Sequence, residues 1–197
     1  DGVQEVAKCF AFILGFEDTL AEIVDKVQVI SSSCEQLVKS EKLIGLLKKV
    51  LAVGNLMNEG AGRPKASGIT LDSLLKTAVT KGKDKKTTVI DYVVKMVGEK
   101  EGEGGMLAVG KELNGIERGV RVNVREMKKT FNELKNGVAG VDKACQQYQD
   151  SGTNDVFVGK GMSFSAKASD KLTEFDQKLN KCLEKVETLC NFFAEDS

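Results

Sequence analysis

Apolar residues in the C-terminal half recur at alternating four- and three-residue intervals over two long stretches. The first stretch carries Met127, Phe131, Leu134, Val138, Val141, Cys145 and Tyr148. The second, which follows a polar Ser-Gly-Thr-Asn turn, carries Ala168, Leu172, Phe175, Leu179, Cys182, Val186, Leu189 and Phe193. Heptad spacing of this kind puts one apolar stripe along an α-helix. The pattern predicts two long helices that pack against each other through these stripes.

The start of the chain predicts shorter helices separated by capping signals. Residues 6–16 are almost wholly apolar and predict a buried first helix. Two capping boxes follow, in which each side chain satisfies the other's free backbone N–H: Thr19 with Glu22, and Ser32 with Glu35. We therefore expect one helix over about 19–30 and another that begins near residue 33.

The helix that begins near residue 33 carries apolar residues at mostly three- and four-residue spacing as far as Met57. It is predicted to end at residues 58–60. There Gly60 can adopt the left-handed conformation that terminates many helices.

Glycine and polar residues divide the middle of the chain. Residues 59–68 predict a loop, residues 70–77 a short helix and residues 80–87 a polar loop. Thr88 with Asp91 gives a further capping signal, for a helix that reaches about Val97. The next segment, 98–105, contains four glycines and predicts a break.

Together these patterns indicate an all-α protein, an elongated multi-helix bundle with long antiparallel coiled-coil-like helices. A single proline in 197 residues agrees with long continuous helices. Hydrophobic residues make up 41% and charged residues 29% of the chain, as in an ordinary folded domain. The longest apolar runs fall far short of the roughly 18 residues that a membrane-spanning helix needs, so no span is expected.

Composition argues against several classes of function. The formal net charge is zero, so no overall positive field would attract nucleic acid. Histidine is absent, and neither a phosphate-binding loop nor a dinucleotide fingerprint occurs, so we expect neither an enzyme nor a cofactor. The five cysteines are widely spaced, without a C-x-x-C pair, so we expect no metal site. Four of them fall on apolar helical faces, which favours buried reduced thiols and a cytoplasmic protein.

One segment carries a specific signal. Residues 54–60, with the sequence G-N-L-M-N-E-G, close an apolar helical run. A glycine-bearing loop, a short Leu-Leu-Lys helix, a basic loop and a new helix opening at Thr-Thr follow in that order. This order resembles the formin homology-2 domain, the actin-assembling domain of formins. The similarity covers roughly residues 9–193 and is strongest at 34–60, 68–93 and 157–193.

In that family the domain is an antiparallel ring dimer, in which an N-terminal lasso of one subunit wraps the post of the other. The resemblance implies a lasso-receiving surface formed by Gly54, Asn55, Met57, Asn58 and Gly60. A glycine leaves room for a partner side chain, and asparagines can hydrogen-bond an extended chain. A simpler hypothesis stays open, in which Gly54 permits a close helix crossing and the other residues only end the helix.

A second candidate is a set of lysines in and before the basic loop: Lys76, Lys81, Lys83, Lys85 and Lys86. The resemblance implies contact with actin, whose acidic surface would attract them and speed association. A solvated loop without a partner is the alternative. The chain also departs from the family here, since Ala78-Val79 stand where many members carry a Lys-Asp pair.

On this resemblance, residues 1–197 form a partial formin homology-2 domain that lacks the lasso, the linker and the early knob. Residues 1–33 would be the late knob and the start of the bundle. Residues 34–97 would be a post-type segment, and residues 106–197 the long helical rod and closing helix.

The implied function is that of a formin's actin-binding domain in the cytoplasmic actin cytoskeleton. It would nucleate filaments and associate processively with barbed ends as a tethered dimer. Its partners would be actin and a second formin subunit, reached through the missing lasso, with profilin bound only by segments outside this chain. The alternative is a helical scaffold or dimerisation module of a formin-like protein without actin-assembly activity, which the Ala78-Val79 departure keeps open.

Overall fold

A computed structural model describes residues 2–82, 84–101, 105, 108–150 and 155–193. These residues form eight α-helices and no β-sheet, so the predicted all-α fold is confirmed. An isolated antiparallel bridge joins Lys81 to Thr88. In chain order the helices are α1 (Gly2–Lys39), α2 (Glu41–Gly60), α3 (Leu71–Val79), α4 (Val89–Glu101), α5 (Val109–Glu112), α6 (Ile116–Val120), α7 (Val124–Asp150) and α8 (Asp155–Phe192).

Helix α1 is continuous over 38 residues, so the predicted helices over 6–16 and 19–30 are one element. Both predicted capping boxes, at Thr19 and Ser32, lie inside it, and the helix start expected near residue 33 is wrong. A capping hydroxyl needs an extended backbone at its own residue, whereas inside a helix it can bond the carbonyl one turn earlier. Thr19 does this, since its Oγ1 donates to the Gly15 carbonyl oxygen at 2.9 Å.

The N-cap of α2 is Ser40. Its backbone is extended, and its Oγ accepts a hydrogen bond from the N–H of Leu43 at 3.1 Å. The same hydroxyl donates to the Glu112 carboxylate at 2.7 Å, and Lys42 pairs with that carboxylate at 3.2 Å. These contacts, the Ser40 hydrogen bond first, lower the pKa of Glu112. A buried serine that both donates and accepts thus sets the boundary between α1 and α2.

Helices α3 and α4 confirm the prediction for the middle of the chain. Thr88 and Asp91 form the predicted reciprocal capping box, with N–H···O distances of 2.9 and 3.1 Å. Helix α4 continues through Gly98, because one helical glycine costs only about 1 kcal/mol relative to alanine. Residues 98–101 of the predicted break are therefore helical, and residues 102–104 of that segment lie outside the described residues.

One compact unit combines residues 1–30 with residues 118–183. Its two predicted heptad stripes are mostly buried, from Met127 to Cys145 in α7 and from Ala168 to Cys182 in α8. The rings of Phe131 and Phe175 lie 4.7 Å apart, whereas Cys145, further along α7, lies against Gly161, earlier along α8. Within this unit α7 and α8 are therefore antiparallel, as predicted.

Helix α1 packs on this pair through aromatic side chains. Phe10 meets Phe157 with ring centroids 5.6 Å apart, and Phe16 meets Phe164 at 5.2 Å. The later residue of α1 thus meets the later residue of α8, so the two helices run parallel within this unit. A Cβ at Gly137 of α7 would overlap the Phe12 ring, so this close approach needs a glycine.

The second compact unit combines residues 31–117 with residues 184–197. Its core cluster contains Val50 of α2 with Val93 and Val97 of α4, and Leu74 of α3 packs against it. At its other end, Lys185 pairs with Glu35 at 2.6 Å and donates to the Ser31 hydroxyl at 2.5 Å. The contact with Lys185 lowers the pKa of Glu35. This unit holds every candidate residue singled out from the sequence.

All five cysteines are free thiols. Cys34, Cys145 and Cys182 are buried, while Cys9 and Cys190 are half-buried. Burial raises the pKa of the Cys9, Cys34 and Cys145 thiols. The neutral form is favoured in each case, so these side chains serve as small apolar packing groups.

Within the described ranges, no three metal-ligating side chains converge on one point. None of the helices found there is both long and apolar enough to span a bilayer.

Candidate partner-binding surface

Helix α2 ends in a Schellman motif that displays residues 54–60, here called the motif segment. The N–H of Gly62 donates to the carbonyl three residues earlier at 3.0 Å, and the N–H of Arg63 donates to the Asn58 carbonyl at 2.8 Å. Gly62 has φ +68°, a left-handed conformation that costs little only for glycine. Gly60 is the last helical residue, so the prediction that it takes the left-handed position is wrong. The chain turns instead at Gly62, two residues after Gly60, and this turn brings the N–H of Arg63 to the Asn58 carbonyl.

Asn55 holds the loop after α2 against the helix. Its Nδ2 donates to the Ala66 carbonyl at 2.9 Å, and the Ala66 N–H donates back to Asn55 Oδ1 at 2.7 Å. The side-chain amide therefore pairs with the Ala66 backbone as a neighbouring peptide unit would. Since both ends of the amide are engaged within the chain, Asn55 shapes the surface beside the motif segment.

A groove of ≈ 370 Å³, the Gly54 groove, lies between α2, this loop and α3. Gly54, Asn55, Met57 and Asn58 line it, whereas Gly60 does not. Apart from the adjacent residues and the backbone of its own helix, no described atom lies within 4 Å of the position that a Cβ on Gly54 would take. Within the described residues, no other helix therefore crosses closely at Gly54.

A second groove of ≈ 560 Å³, the Tyr92 groove, lies between α2, α4 and the basic loop. Met57 lines both grooves and is 46% exposed. Tyr92 is 53% exposed. Methionine and tyrosine are enriched at protein interfaces because both bring apolar area, and methionine adapts to different partner shapes.

Asp84 organises the basic loop, residues 81–88. Its Oδ1 accepts the backbone N–H groups of Lys86 and Thr87, both at 3.1 Å. The N–H of Gly82 donates to the Thr87 carbonyl at 2.8 Å and closes the loop on itself. The Thr87 hydroxyl, followed by these N–H groups, lowers the pKa of Asp84. A charged Asp84 therefore gives the lysine-rich segment a defined backbone.

The candidate lysines border both grooves. Lys76 lines the Gly54 groove and pairs with Asp72 at 2.6 Å on the exposed side of α3. Lys81 is exposed and lines the Tyr92 groove. The structure thus brings the motif segment and these two lysines to one surface of their unit.

The remaining lysines lie at the tip of the basic loop or beyond the described residues. Lys85 and Lys86 are exposed, and Lys85 has φ +58°, which is uncommon for a residue with a side chain. Lys83 lies outside the described residues.

Comparison with known sequences identifies the fold. The sequence profile of the Formin Homology 2 Domain matches residues 2–197. The chain belongs to the formin homology 2 domain family. It is 32% identical over 201 residues to Disheveled-associated activator of morphogenesis 2 of Gallus gallus. It is 28% identical over 187 residues to Protein diaphanous homolog 2 of Homo sapiens, and 26% identical over 195 residues to Formin-J of Dictyostelium discoideum.

These formin alignments cover 94–100% of the chain. They cover 8% of Formin-J, 17% of the diaphanous homolog and 18% of the morphogenesis activator. The chain therefore spans less than a fifth of the length of these relatives. The resemblance predicted from the motif segment and its surroundings is confirmed.

Three residues of this formin homology 2 surface were not singled out from the sequence. Asp84 carries a usable signal, because an aspartate between glycine and polar residues favours a side-chain-capped turn. Tyr92 lies outside the 89-93-97 stripe of α4 and could have been assigned to its exposed face. Ala66 carries no such signal, because only its backbone groups take part.

Proposed function

We propose that this formin homology 2 chain is part of the actin-binding domain of a formin that nucleates actin filaments and stays on their barbed ends as a tethered dimer. The family match over residues 2–197 carries the proposal. The function requires binding and no chemical step. A dimer that holds two actin subunits in filament-like geometry stabilises the nucleus, and tethering raises the effective concentration of each further contact. The protein would act in the cytoplasmic actin cytoskeleton.

The motif segment would receive the lasso of a second subunit. The open space over Gly54 and the two grooves on either side of Met57 support this assignment. An extended lasso could place one apolar side chain in each groove, where apolar area and adaptable shape favour binding. Asn58 would line the path, Asn55 would hold the groove wall through Ala66, and Gly60 would keep the exposed end of α2 free of bulk.

The lysines would contribute to the contact with actin. Lys81, Lys85 and Lys86 are exposed on a loop whose backbone is held by Asp84, so little backbone entropy would be lost when they bind. Lys76 is partly neutralised by Asp72, so we expect a smaller electrostatic contribution from it. Lys83 remains a proposed member of the set. Because exposed charges are screened by salt, this part of the contact should act mainly on the association rate.

The second partner is another copy of the domain, joined through the lasso. Profilin would be recruited only by proline-rich segments of a parent protein, since this chain has one proline.

The test is a fluorescence assay of actin assembly with the complete domain of the parent protein, in wild-type form and with Gly54→Leu. A Cβ on residue 54 meets nothing within 4 Å beyond its neighbours and its own helix backbone, and the groove has room for a longer side chain, so folding should be little changed. We expect the wild type to dimerise, shorten the lag and slow barbed-end elongation. The Gly54→Leu variant should lose the dimer in light scattering and lose nucleation with it.

Gly140→Leu in α7 is the matched control, because a Cβ there also meets nothing within 4 Å. This control should dimerise and nucleate like the wild type. A wild-type domain that dimerises but leaves both lag and elongation unchanged would contradict the proposal. It would favour the scaffold hypothesis, for which Ala78-Val79 in place of the family's Lys-Asp pair is the supporting feature.

A further inference from the structure

Helix α3 carries an apolar stripe that faces solvent in the described structure. Leu71, Leu75 and Val79 follow at four-residue spacing and therefore share one side of the helix. They are 41%, 70% and 73% exposed. Leu74 packs on the core cluster of its unit, and Thr77 lines the Gly54 groove. These contacts fix α3, while Leu75 and Val79 remain mostly exposed.

The helix that presents this stripe is short but capped at both ends. Thr70 Oγ1 accepts the N–H of Ser73 at 3.2 Å. At the other end, Thr80 donates both its N–H and its hydroxyl to the Lys76 carbonyl, at 2.9 and 2.7 Å. A helix held in this way loses little conformational entropy when a partner covers its outer face.

Several lysines follow the C-terminal end of the stripe in the chain. Val79 comes two residues before Lys81, and the basic loop with Lys85 and Lys86 follows directly. Because the Lys76 charge is offset by Asp72, the net positive charge of this segment comes from the loop lysines, which outnumber Asp84. The matching partner surface is an apolar cleft with an acidic rim. Helices that present apolar residues at four-residue spacing typically bind such clefts.

We propose that the Leu71–Leu75–Val79 stripe is an apolar anchor for actin, with the loop lysines at the rim of the same contact. The inference rests on the proposed function and assigns most of the binding free energy to the stripe. Buried apolar side chains at the centre of an interface contribute more affinity than exposed rim charges. In this chain Val79 would thus supply apolar contact where many family members carry a charged pair.

The test measures the affinity of the complete domain for filament barbed ends, from the concentration that half-inhibits elongation of filament seeds, at about 50 and 200 mM salt, a range over which charge screening changes strongly. Leu75→Gln with Val79→Gln removes the stripe while keeping good helix formers. We expect affinity to fall about tenfold or more at both salt concentrations. Leu14→Gln with Val120→Gln is the matched control, because these residues are 80% and 81% exposed. This control should change affinity less than about twofold.

A third variant separates the stripe from the charges. Lys81→Ala with Lys85→Ala and Lys86→Ala should weaken binding at low salt and flatten its salt dependence. If the stripe variant binds like the wild type while the lysine variant is weakened, the anchor is refuted and the proposed function stands. Equal weakening by the stripe variant and its control also refutes the anchor. A wild-type domain that does not bind barbed ends refutes the proposed function and the anchor together.

Discussion

Gly60 and Gly62 lie two residues apart at the end of α2 but adopt different backbone conformations. Gly60 is helical, with open space where a Cβ would point, whereas Gly62 has φ +68°. We expect Gly62→Ala to lower the free energy of unfolding by about 1–2 kcal/mol, the cost of a left-handed alanine. Gly60→Ala should leave it unchanged or raise it by about 0.5–1 kcal/mol, because alanine favours the helix.

Chemical denaturation of the 197-residue chain, followed by circular dichroism, measures both changes. Destabilisation by both substitutions, or by Gly60→Ala alone, would contradict the Schellman geometry. At this scale the sequence supplies the residue types that can end a helix. The φ of Gly62 and the hydrogen bond from Arg63 to the Asn58 carbonyl show that Gly62 is the residue that ends α2.

At the scale of elements, the approach of α7 to α8 depends on Gly161. A Cβ there would overlap Cys145 Sγ and lie 3.4 Å from Val141 Cγ1. We expect Gly161→Ala to lower the unfolding free energy by about 1–3 kcal/mol, since overpacking forces neighbouring side chains or helices to move. Thermal and chemical unfolding of the variant and the wild type provide the measurement.

Gly159 is the control for this prediction, because it lies in the same helix and a Cβ on it meets nothing within 4 Å. Gly159→Ala should be neutral or slightly stabilising. Adding Cys145→Ala should recover part of the Gly161→Ala loss, because it removes the overlapping sulfur, and a double-mutant cycle measures this coupling. Additive effects of the two substitutions would show that the loss has another cause.

The length of helix α1 was only partly predictable from local patterns. Its apolar and polar positions indicated helix throughout, but two capping boxes suggested interruptions that do not exist. Thr19 bonds the preceding turn instead, and the true boundary lies at Ser40, where Glu112 from a distant part of the chain meets the hydroxyl. The local sequence shows which residues can cap a helix, whereas tertiary contacts determine which of them does.

At the scale of the whole molecule, stability should depend on pH only outside the neutral range. The pKa values of Asp84, Asp91, Glu35 and Glu112 are lowered, chiefly by hydrogen bonds in the folded chain. Such groups stabilise the fold above their unfolded pKa, and this stabilisation is lost as pH falls through the folded pKa. We therefore expect the melting temperature to fall as pH decreases from about 5 to 3.

Above neutral pH, stability is expected to fall as pH rises. Burial raises the pKa of Cys9, Cys34 and Cys145 above 9.0, so their contribution is present below that pH and is lost as pH rises further. Since the chain has no histidine, its side chains predict a plateau between about pH 6 and 8. Circular dichroism melts across this range test the profile. A steep change of melting temperature between about pH 6 and 8 would contradict this profile. So would an Asp84→Asn variant whose melting temperature falls more steeply with decreasing pH than that of the wild type.

The sequence by itself determined the fold class, the apolar faces of α7 and α8, the capping box at Thr88 and the family of the chain. These features depend on residue types and their spacing along the chain, which the sequence records directly. Only the tertiary structure decided the continuity of α1, the role of Gly62 and the pairing of Asn55 with Ala66. It also placed Met57 between two grooves and left Leu75 and Val79 exposed. These features depend on contacts between residues distant in the chain, and the local pattern around each residue does not specify its distant partner.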